Sequence, residues 1–337
     1  MWKLATFLSV FRYVWTEMPL FEQTEAKQGK PYFSPTLIGC AIAVTKRYFT
    51  SIGAFDSQQL IWGGENIELS FRAWLCGGSV VTLPCSRVGH LFREIPYREG
   101  DSQWITHLHT NQMRVAEVWM GDYKRLFYAS TTVYSARNFN FTQEQRTSLK
   151  ERQEFVSSLN CKPFSWYIEN VVPEIPIPPH DAMFHGELEN LRTRACWDVL
   201  EDGYVKINYQ CYEHRILVKN FFTLTVDGFL LYRDKCVKFE FPGVALRVEK
   251  CPPRSDIARF GKWRMRYNGD PQYGHLSIEM TIGSEIQTWC IRQVTSVTAH
   301  EGTQMPQVSK CDDNDDFQKW AFTYRFDKLQ KHELIEL

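Results

Sequence analysis

The fold of the first part of the chain is decided by residues 61–92, IWGGENIELSFRAWLCGGSVVTLPCSRVGHLF. In this stretch Ile67, Phe71 and Trp74 recur at helical spacing and two glycines follow them, so the pattern predicts an amphipathic helix with a C-terminal stop. The short apolar run SVVTLPC comes next and is typical of a strand. A helix followed at once by a strand indicates α/β architecture.

Three further segments extend this prediction along the chain. TLIGCAIAV at residues 36–44 predicts a short buried strand. QMRVAEVWMGDYKRLFYAS at residues 112–130 repeats apolar residues at spacings of three and four, which predicts one long amphipathic helix. The segment VVPEIPIPPHDAM, residues 171–183, holds four prolines from Pro173 to Pro179 and predicts a stiff, extended linker.

The chain changes character after this linker, where short β-rich runs are separated by turn residues. The runs are YVKINYQC, FFTLTV, FLLYRD, VKFEF and VALRVEKC. A unit that begins at a cysteine and closes at an aromatic residue occurs three times, with leading residues Cys196, Cys236 and Cys290 and closing residues Phe222, Trp263 and Trp320. Three β units that each bury one aromatic side chain against a shared axis predict a β-trefoil.

The composition excludes one function class and favours an oxidising environment. The formal net charge is zero, which gives no support to nucleic-acid binding. Ten cysteines are many for a cytosolic enzyme of this length, and short-range pairs among them suggest a disulfide framework. These pairs are Cys196 with Cys211, Cys236 with Cys251, and Cys290 with Cys311. The NFT sequon at Asn140 fits the same secretory route, and the aromatic content of 15% suits the stacking of sugar rings.

Several long motifs in their order along the chain resemble those of the polypeptide N-acetylgalactosaminyltransferases. The motifs are WGGEN, FRAWLCGGS, PCSRVGHLFR, RVAEVWMGDYK and NCKPFSWYIENVVPE. The resemblance implies transfer of GalNAc from UDP-GalNAc to Ser or Thr of protein or GalNAc-glycopeptide acceptors, with retention of configuration, Mn²⁺ as cofactor and the Golgi as location. It also implies an α/β fold of the GT-A type followed by an all-β, ricin-B-like lectin domain. We therefore expect the C-terminal part of a GT-A domain at 1–170, a Pro-rich linker at 171–189 and a β-trefoil lectin domain at 190–337.

The same resemblance implies roles for individual residues of the first domain. The donor substrate would contact Trp62, Glu65, Asn66, Arg93 and Tyr97, and His90 would be the third metal ligand. A forked guanidinium such as that of Arg93 suits a diphosphate, and Tyr97 would lie on a polar lid loop. Some of these roles have a plainer alternative: Glu65 and Asn66 also fit a helix N-terminus, His90 fits a structural histidine, and the lid fits an ordinary surface loop. No catalytic nucleophile is assigned, because the family has no settled one.

The chain also departs from the family pattern. It contains no Asp-x-His, the pair that holds manganese in the family, so we expect it to begin inside the transferase domain and to be inactive in transfer by itself. Cys40 stands where the family usually has a glycine beside the sugar. By resemblance Cys76 pairs with Cys161, and Cys85 is left over because its partner would lie upstream.

In the family's lectin domain, each repeat binds sugar through an acidic residue in the second position after its leading cysteine. The first repeat keeps this acid as Asp198, whereas Lys238 and Arg292 stand in the other two repeats. Tyr209 matches a second family contact, but Tyr212 stands where histidine is common. Sugar binding through the first repeat is therefore one expectation, and a purely structural trefoil is the alternative. A non-catalytic glycan-binding or scaffold protein is the rival to the enzyme hypothesis.

Overall fold

The protein is described here by a computed structural model. The described residues are 3–7, 13–17, 24, 26–39, 41–89, 91, 104–130, 141–173, 175–208, 211, 220–239, 245–257, 261–268, 270, 272–282, 284–294, 304–327 and 329. The chain divides into two compact units, and the main division falls between Ile175 and Pro176. Within the described ranges, we find no helix with the length and apolar character needed to cross a membrane.

The first unit combines six helices with two short antiparallel strand pairs in its described part. The pairs are β1 (Lys3–Phe7) with β2 (Tyr13–Glu17), and β3 (Tyr32–Phe33) with β4 (Val81–Thr82). The helices are α1 (Lys46–Ser51), α2 (Glu65–Leu75), α3 (Trp104–Trp119), α4 (Lys124–Ala129), α5 (Gln143–Ser158) and α6 (Phe164–Asn170). The α2 helix confirms the prediction from the apolar spacing in residues 61–92.

Helix α2 packs its apolar face against α6. The ring of Phe71 is fully buried, and its centroid lies 5.0 Å from that of Phe164 and 5.1 Å from that of Tyr167 in edge-on contacts. Edge-on pairs at this separation are favourable beyond the area that they bury. The disulfide Cys76–Cys161 joins the residue after α2 to the segment before α6, so the two helices are also linked covalently.

Two predicted elements of the first unit differ from the structure. No strand forms within residues 36–39 or 41–44, because the Leu37 N–H donates to the Ser70 hydroxyl of α2 (2.8 Å) rather than to a neighbouring strand. The helix predicted over residues 112–130 is interrupted at Gly121, which has φ = 51°, and a short 3-10 turn there separates α3 from α4. A left-handed residue of this kind ends a helix, and glycine adopts it at little cost.

The second unit is built from β-strands. Among its described residues, twelve strands form one antiparallel sheet. They are β5 (Ala182–Asn190), β6 (Cys196–Val199), β7 (Val205–Asn208), β8 (Phe222–Thr225), β9 (Leu230–Tyr232), β10 (Lys235–Phe239), β11 (Leu246–Lys250), β12 (Lys262–Arg266), β13 (Gly274–Ile282), β14 (Glu285–Arg292), β15 (Gln307–Ser309) and β16 (Lys319–Arg325). The sheet runs in the order β11-β10-β9-β8-β5-β16-β13-β14-β15, with β12 on β13, β6 on β5 and β7 on β6. Strands β7 to β11 confirm the five β-rich runs read from the sequence.

Strand β5 begins inside the segment that the sequence assigned to the linker. It pairs with β8 and β16, and its Phe184 and Leu188 side chains lie in the hydrophobic core. The stiff proline-rich part ends before it, at Pro179. Apolar residues at intervals along MFHGELEN favour a half-buried strand rather than a linker.

The three repeats predicted from the sequence share one core. The indole N–H of Trp263 donates to the Val237 carbonyl at 3.0 Å, and that of Trp320 donates to the Ile291 carbonyl at 2.8 Å. In the first repeat, Phe222 has no N–H and its ring packs edge-on against Trp197 instead, at 5.5 Å between centroids. The partner is in each case the residue directly after the leading cysteine. This recurrence supports an internal threefold repeat, while its assignment as a β-trefoil stays a prediction.

The four predicted disulfides are confirmed. They are Cys76–Cys161, Cys196–Cys211, Cys236–Cys251 and Cys290–Cys311, with Cα atoms 4.3 to 5.1 Å apart. Cys85 is free and exposed in the described part of the chain, as expected for the left-over cysteine.

Candidate functional site

The segment that precedes α2 presents three large apolar side chains to solvent. Leu60, Ile61 and Trp62 are 47%, 57% and 47% exposed. The Trp62 N–H donates to the Leu60 carbonyl at 2.7 Å, which closes a three-residue turn around Ile61. Ile61 has φ = 62°, a conformation that is unusual for a β-branched residue and costs on the order of 1–3 kcal/mol. The turn that carries Trp62 is therefore strained.

Asn111 of helix α3 holds this turn from beneath. Its side chain is buried, and its Oδ1 accepts from the Leu60 N–H at 3.0 Å. Its Nδ2 contacts the carbonyl oxygens of Leu60 (2.8 Å), Gly63 (2.9 Å) and Trp62 (3.3 Å). One amide side chain thus satisfies several backbone groups that no helix or strand would satisfy.

The two glycines of the WGGEN motif serve packing against α3. Gly63 and Gly64 have φ values of 96° and 91°, which a residue with a side chain rarely adopts. A Cβ on Gly63 would also overlap the Leu108 side chain. The close neighbour of both glycines is therefore the α3 helix.

Trp62, Glu65 and Asn66 are brought together on this turn and the first turn of α2. Helix α2 begins at Glu65, and the Glu65 carboxylate accepts from the Gly63 N–H at 2.9 Å, so the helix-start alternative describes Glu65. The Asn66 side chain lies against Gly39, where any Cβ would overlap its amide. Both residues are partly buried.

Near the N-terminal end of α2 lies a buried ionic network centred on Glu68. Its carboxylate contacts Arg72 at 2.8 Å and Arg152 at 3.1 Å, and it accepts from the Trp119 indole at 3.1 Å. Arg72 also donates to the Ile52 carbonyl at 3.0 Å, at the C-terminal end of α1. Burial raises the pKa of Glu68, and the two guanidinium groups oppose this shift. The network ties α2 to α1, α3 and α5.

A second buried ion pair continues this network along α3. Arg114 contacts Asp56 at 2.6 Å and donates to the hydroxyl and carbonyl of Ser148 at 3.0 Å each. Asn111 and Arg114 lie one turn apart on the same helix, so α3 anchors the strained turn and the ionic network together.

The sequence did not single out Asn111, although a signal for it exists. Leu108, Asn111 and Val115 share one face of α3 at helical spacing, and Val115 and Asn111 are both buried. An amide on an otherwise apolar helix face must find polar partners when it is buried. That reasoning predicts hydrogen bonds for the buried Asn111 amide, but it does not predict which backbone groups are its partners.

Four residues with predicted roles, His90, Arg93, Tyr97 and Tyr209, lie outside the described residues, as does Cys40. Among the described residues, one group has metal-ligand spacing, namely Glu189 with Cys196 and Cys211. The two sulfur atoms of this group are joined in a disulfide, so they are not thiolate ligands. Manganese prefers oxygen ligands such as carboxylate and water, and this group does not fit it.

In the second unit, Asp198 lies on β6 with both carboxylate oxygens engaged. Oδ1 accepts from the Val199 N–H at 2.8 Å, and Oδ2 lies 3.3 Å from Lys206 Nζ across the β6–β7 pair. The corresponding basic residues are also paired, Lys238 with Glu249 at 3.6 Å and Arg292 with Asp315 at 2.7 Å. Each repeat therefore carries an ion pair at this position. The residue at the position is the acid in the first repeat and the base in the other two.

Comparison with known proteins shows where similar sequences occur. Residues 21–94 match the protein family described as the N-terminal domain of galactosyltransferase. The chain is 32% identical over 318 residues to polypeptide N-acetylgalactosaminyltransferase 6 of Mus musculus, a match that covers 91% of this chain and 47% of the relative. It is 33% identical over 316 residues to polypeptide N-acetylgalactosaminyltransferase 3 of Taeniopygia guttata, a match that covers 91% of this chain and 45% of the relative.

Among solved structures, the chain is similar to GalNAc-T7, which was crystallised with UDP, GalNAc and Mn²⁺. The identity is 24% and the TM-score is 0.46, with coverage of 96% of this chain and 55% of that chain. The chain thus spans about half the length of the curated relatives that it matches. Over nine-tenths of its own length, it is similar in sequence to polypeptide N-acetylgalactosaminyltransferases.

Proposed function

We propose that this chain forms part of a polypeptide N-acetylgalactosaminyltransferase of the Golgi, which moves GalNAc from UDP-GalNAc to Ser or Thr of a polypeptide. The observation that carries the proposal is the strained turn at Ile61, which exposes Trp62 beside the start of α2. Strain of this kind persists where the surrounding structure enforces it, and it is concentrated at functional sites. Sequence similarity to such transferases along 91% of the chain supports the same reading.

The chemistry of the residues with proposed donor roles fits a sugar nucleotide. The face of an indole such as Trp62 stacks on the apolar face of a pyranose ring and excludes water from it. The Asn66 amide offers both donors and an acceptor to sugar hydroxyls. Arg93 would neutralise the diphosphate as UDP departs, Tyr97 would close over the donor, and His90 would bind the manganese ion. We keep the domain boundaries 1–170, 171–189 and 190–337 as part of this proposal.

A chimera tests the proposal, because the chain spans about half of its relatives. This chain would replace the segment that it matches in the Mus musculus transferase 6, and transfer from UDP-GalNAc to a Thr-rich peptide would be measured with Mn²⁺. We expect transfer, and we expect Asn66→Ala to lower kcat/KM by about 10- to 100-fold, the value of one or two lost hydrogen bonds. The matched control is Ile286→Ala in the second unit, where the side chain is 74% exposed. A folded chimera in which Asn66→Ala and Trp62→Ala both transfer at the parental rate would contradict the proposed donor site.

A second candidate function, glycan binding by the β-rich unit, is favoured by Asp198. This carboxylate is the one acid among the three equivalent positions, and its side chain keeps 15% exposure. Carboxylate oxygens have lone pairs for more than one donor, so sugar hydroxyls can bind beside Val199 and Lys206. Lys238 and Arg292 offer donors only and are already paired with acids.

We expect Asp198→Asn in the whole chain to weaken binding of a GalNAc-peptide by about 10- to 100-fold, because hydrogen bonds to a charged acceptor are lost. Isothermal titration with a GalNAc-peptide measures this change, and Asp202→Asn, an exposed acid in the next turn, serves as the matched control. Equal binding by the parent and Asp198→Asn would place the sugar elsewhere. Absence of binding at millimolar concentrations of sugar would indicate that the second unit has a structural role only.

A further inference from the structure

We infer that Asn111 is a positioning residue, which holds the turn at residues 60–63 in its strained form and so fixes the direction in which Trp62 is presented. The functional part of this inference rests on the proposed transferase function. The structural part stands on contacts within the first unit alone.

The turn has little else to hold it. The side chains of Leu60, Ile61 and Trp62 are each about half exposed, so their burial offers limited compensation for the left-handed backbone of Ile61. Two hydrogen bonds besides those of Asn111 act on the turn: the Trp62 N–H donates to the Leu60 carbonyl, and the Gly63 N–H donates to the Glu65 carboxylate. The Asn111 amide contacts the same carbonyl and adds contacts on both sides of it. A residue with a donor and an acceptor at one end is required, since Leu60 offers both an N–H and a carbonyl.

Asn111 is itself fixed. It lies on α3 one turn from Arg114, which is bound by the buried Asp56 and by the partly buried Ser148. The amide is therefore delivered to the loop from a helix that is anchored elsewhere. A site held by helix-borne groups keeps its geometry more closely than one held by other loops.

Amide hydrogen exchange on the 337-residue chain tests the structural part. In Asn111→Ala, we expect exchange at the amides of Leu60, Trp62 and Gly63 to accelerate by about tenfold or more, because the turn opens locally. The slow amides of α2 (Glu65–Leu75) should keep their rates relative to the control. The matched control is Ser148→Ala, which removes a hydrogen bond to Arg114 one turn further along the same helix. It should leave the turn amides unchanged, because Asp56 and the carbonyl of residue 148 still hold Arg114.

Asn111→Asp separates the two halves of the contact and guards against misfolding of the alanine variant. The carboxylate still accepts from the Leu60 N–H but cannot donate to the carbonyls of Leu60 and Gly63. We expect intermediate or full opening of the turn in this variant. If both Asn111 variants fold and the turn amides exchange within about twofold of the parent, the inference is wrong.

Kinetics in the chimera test the functional part. Loss of a fixed Trp62 should raise the KM for UDP-GalNAc, because only a fraction of the molecules then present the binding-competent turn. Ser148→Ala should leave this KM unchanged even if it lowers stability. If α3 had only a structural role, both variants would lower stability and neither would raise the KM selectively. If Asn111→Ala opens the turn but leaves the KM unchanged, Trp62 is not a donor contact. If the parent chimera shows no transfer while hydrogen exchange changes as expected, the proposed function is wrong, and the role of Asn111 in holding the turn at residues 60–63 is supported.

Discussion

Replacing Glu68 with glutamine is expected to lower the free energy of unfolding of the first unit by about 3–5 kcal/mol, the range for breaking one side of a buried ion pair. Glu68 and Arg72 are 1% and 0% exposed, and Arg152 shares the same carboxylate. Glutamine keeps the size of the side chain but removes its charge. Two guanidinium groups would then remain buried without the anion that offsets their desolvation.

The slowest-exchanging amides of α2 provide the measurement, because they report the opening free energy of this unit rather than of the whole chain. Glu151→Gln is the matched control: Glu151 precedes Arg152 on α5 and is exposed, so we expect a change within about 0.5 kcal/mol. A loss below about 1 kcal/mol for Glu68→Gln would mean that water reaches Arg72 and Arg152 and that the network is less buried than its geometry indicates.

Trp320→Ala is expected to destabilise the second unit by about 3–5 kcal/mol, as is usual for removal of a buried aromatic side chain. Trp320 is fully buried, and its ring packs edge-on against Trp197 at 5.6 Å between centroids. The substitution leaves a cavity at the meeting point of two repeats. It also removes the indole N–H that donates to the buried Ile291 carbonyl, and with it one buried hydrogen bond.

Guanidinium unfolding, with exchange at the amides of β13 and β16 as the local probe, measures this loss. Trp320→Phe separates the two contributions, because it fills most of the cavity but still lacks the N–H. The exposed Ile286→Ala is the control for an apolar truncation at the surface of the same unit. If Trp320→Ala cost no more than this control, the three repeats would not share the core that their hydrogen bonds indicate.

The sequence predicted some of these features because their causes are local. Helix α2 follows from apolar spacing alone, and the three disulfides of the second unit follow from cysteines only 15 or 21 residues apart. Cys76 and Cys161 are 85 residues apart, and only resemblance to a known family suggested their pairing.

The apolar run at 36–44 was misleading because a strand needs a neighbouring strand to pair with, and the spacing of apolar residues does not show whether one is present. The hydrogen bonds from Asn111 to the turn at residues 60–63 were missed for a similar reason, since their backbone partners lie 48 to 51 residues away in the sequence.

In the first two repeats, a basic residue lies on the neighbouring strand at the same register position: Lys206 is opposite Asp198, and Arg247 is opposite Lys238. Lys238 forms its ion pair with Glu249, which lies two residues further along the same strand as Arg247. The Lys238→Asp substitution would place a carboxylate opposite Arg247 and so recreate the cross-strand acid–base pair of the first repeat, but it would also put Glu249 beside a like charge. The second repeat is therefore one substitution away from the charge arrangement of the first, and repulsion from Glu249 opposes that step.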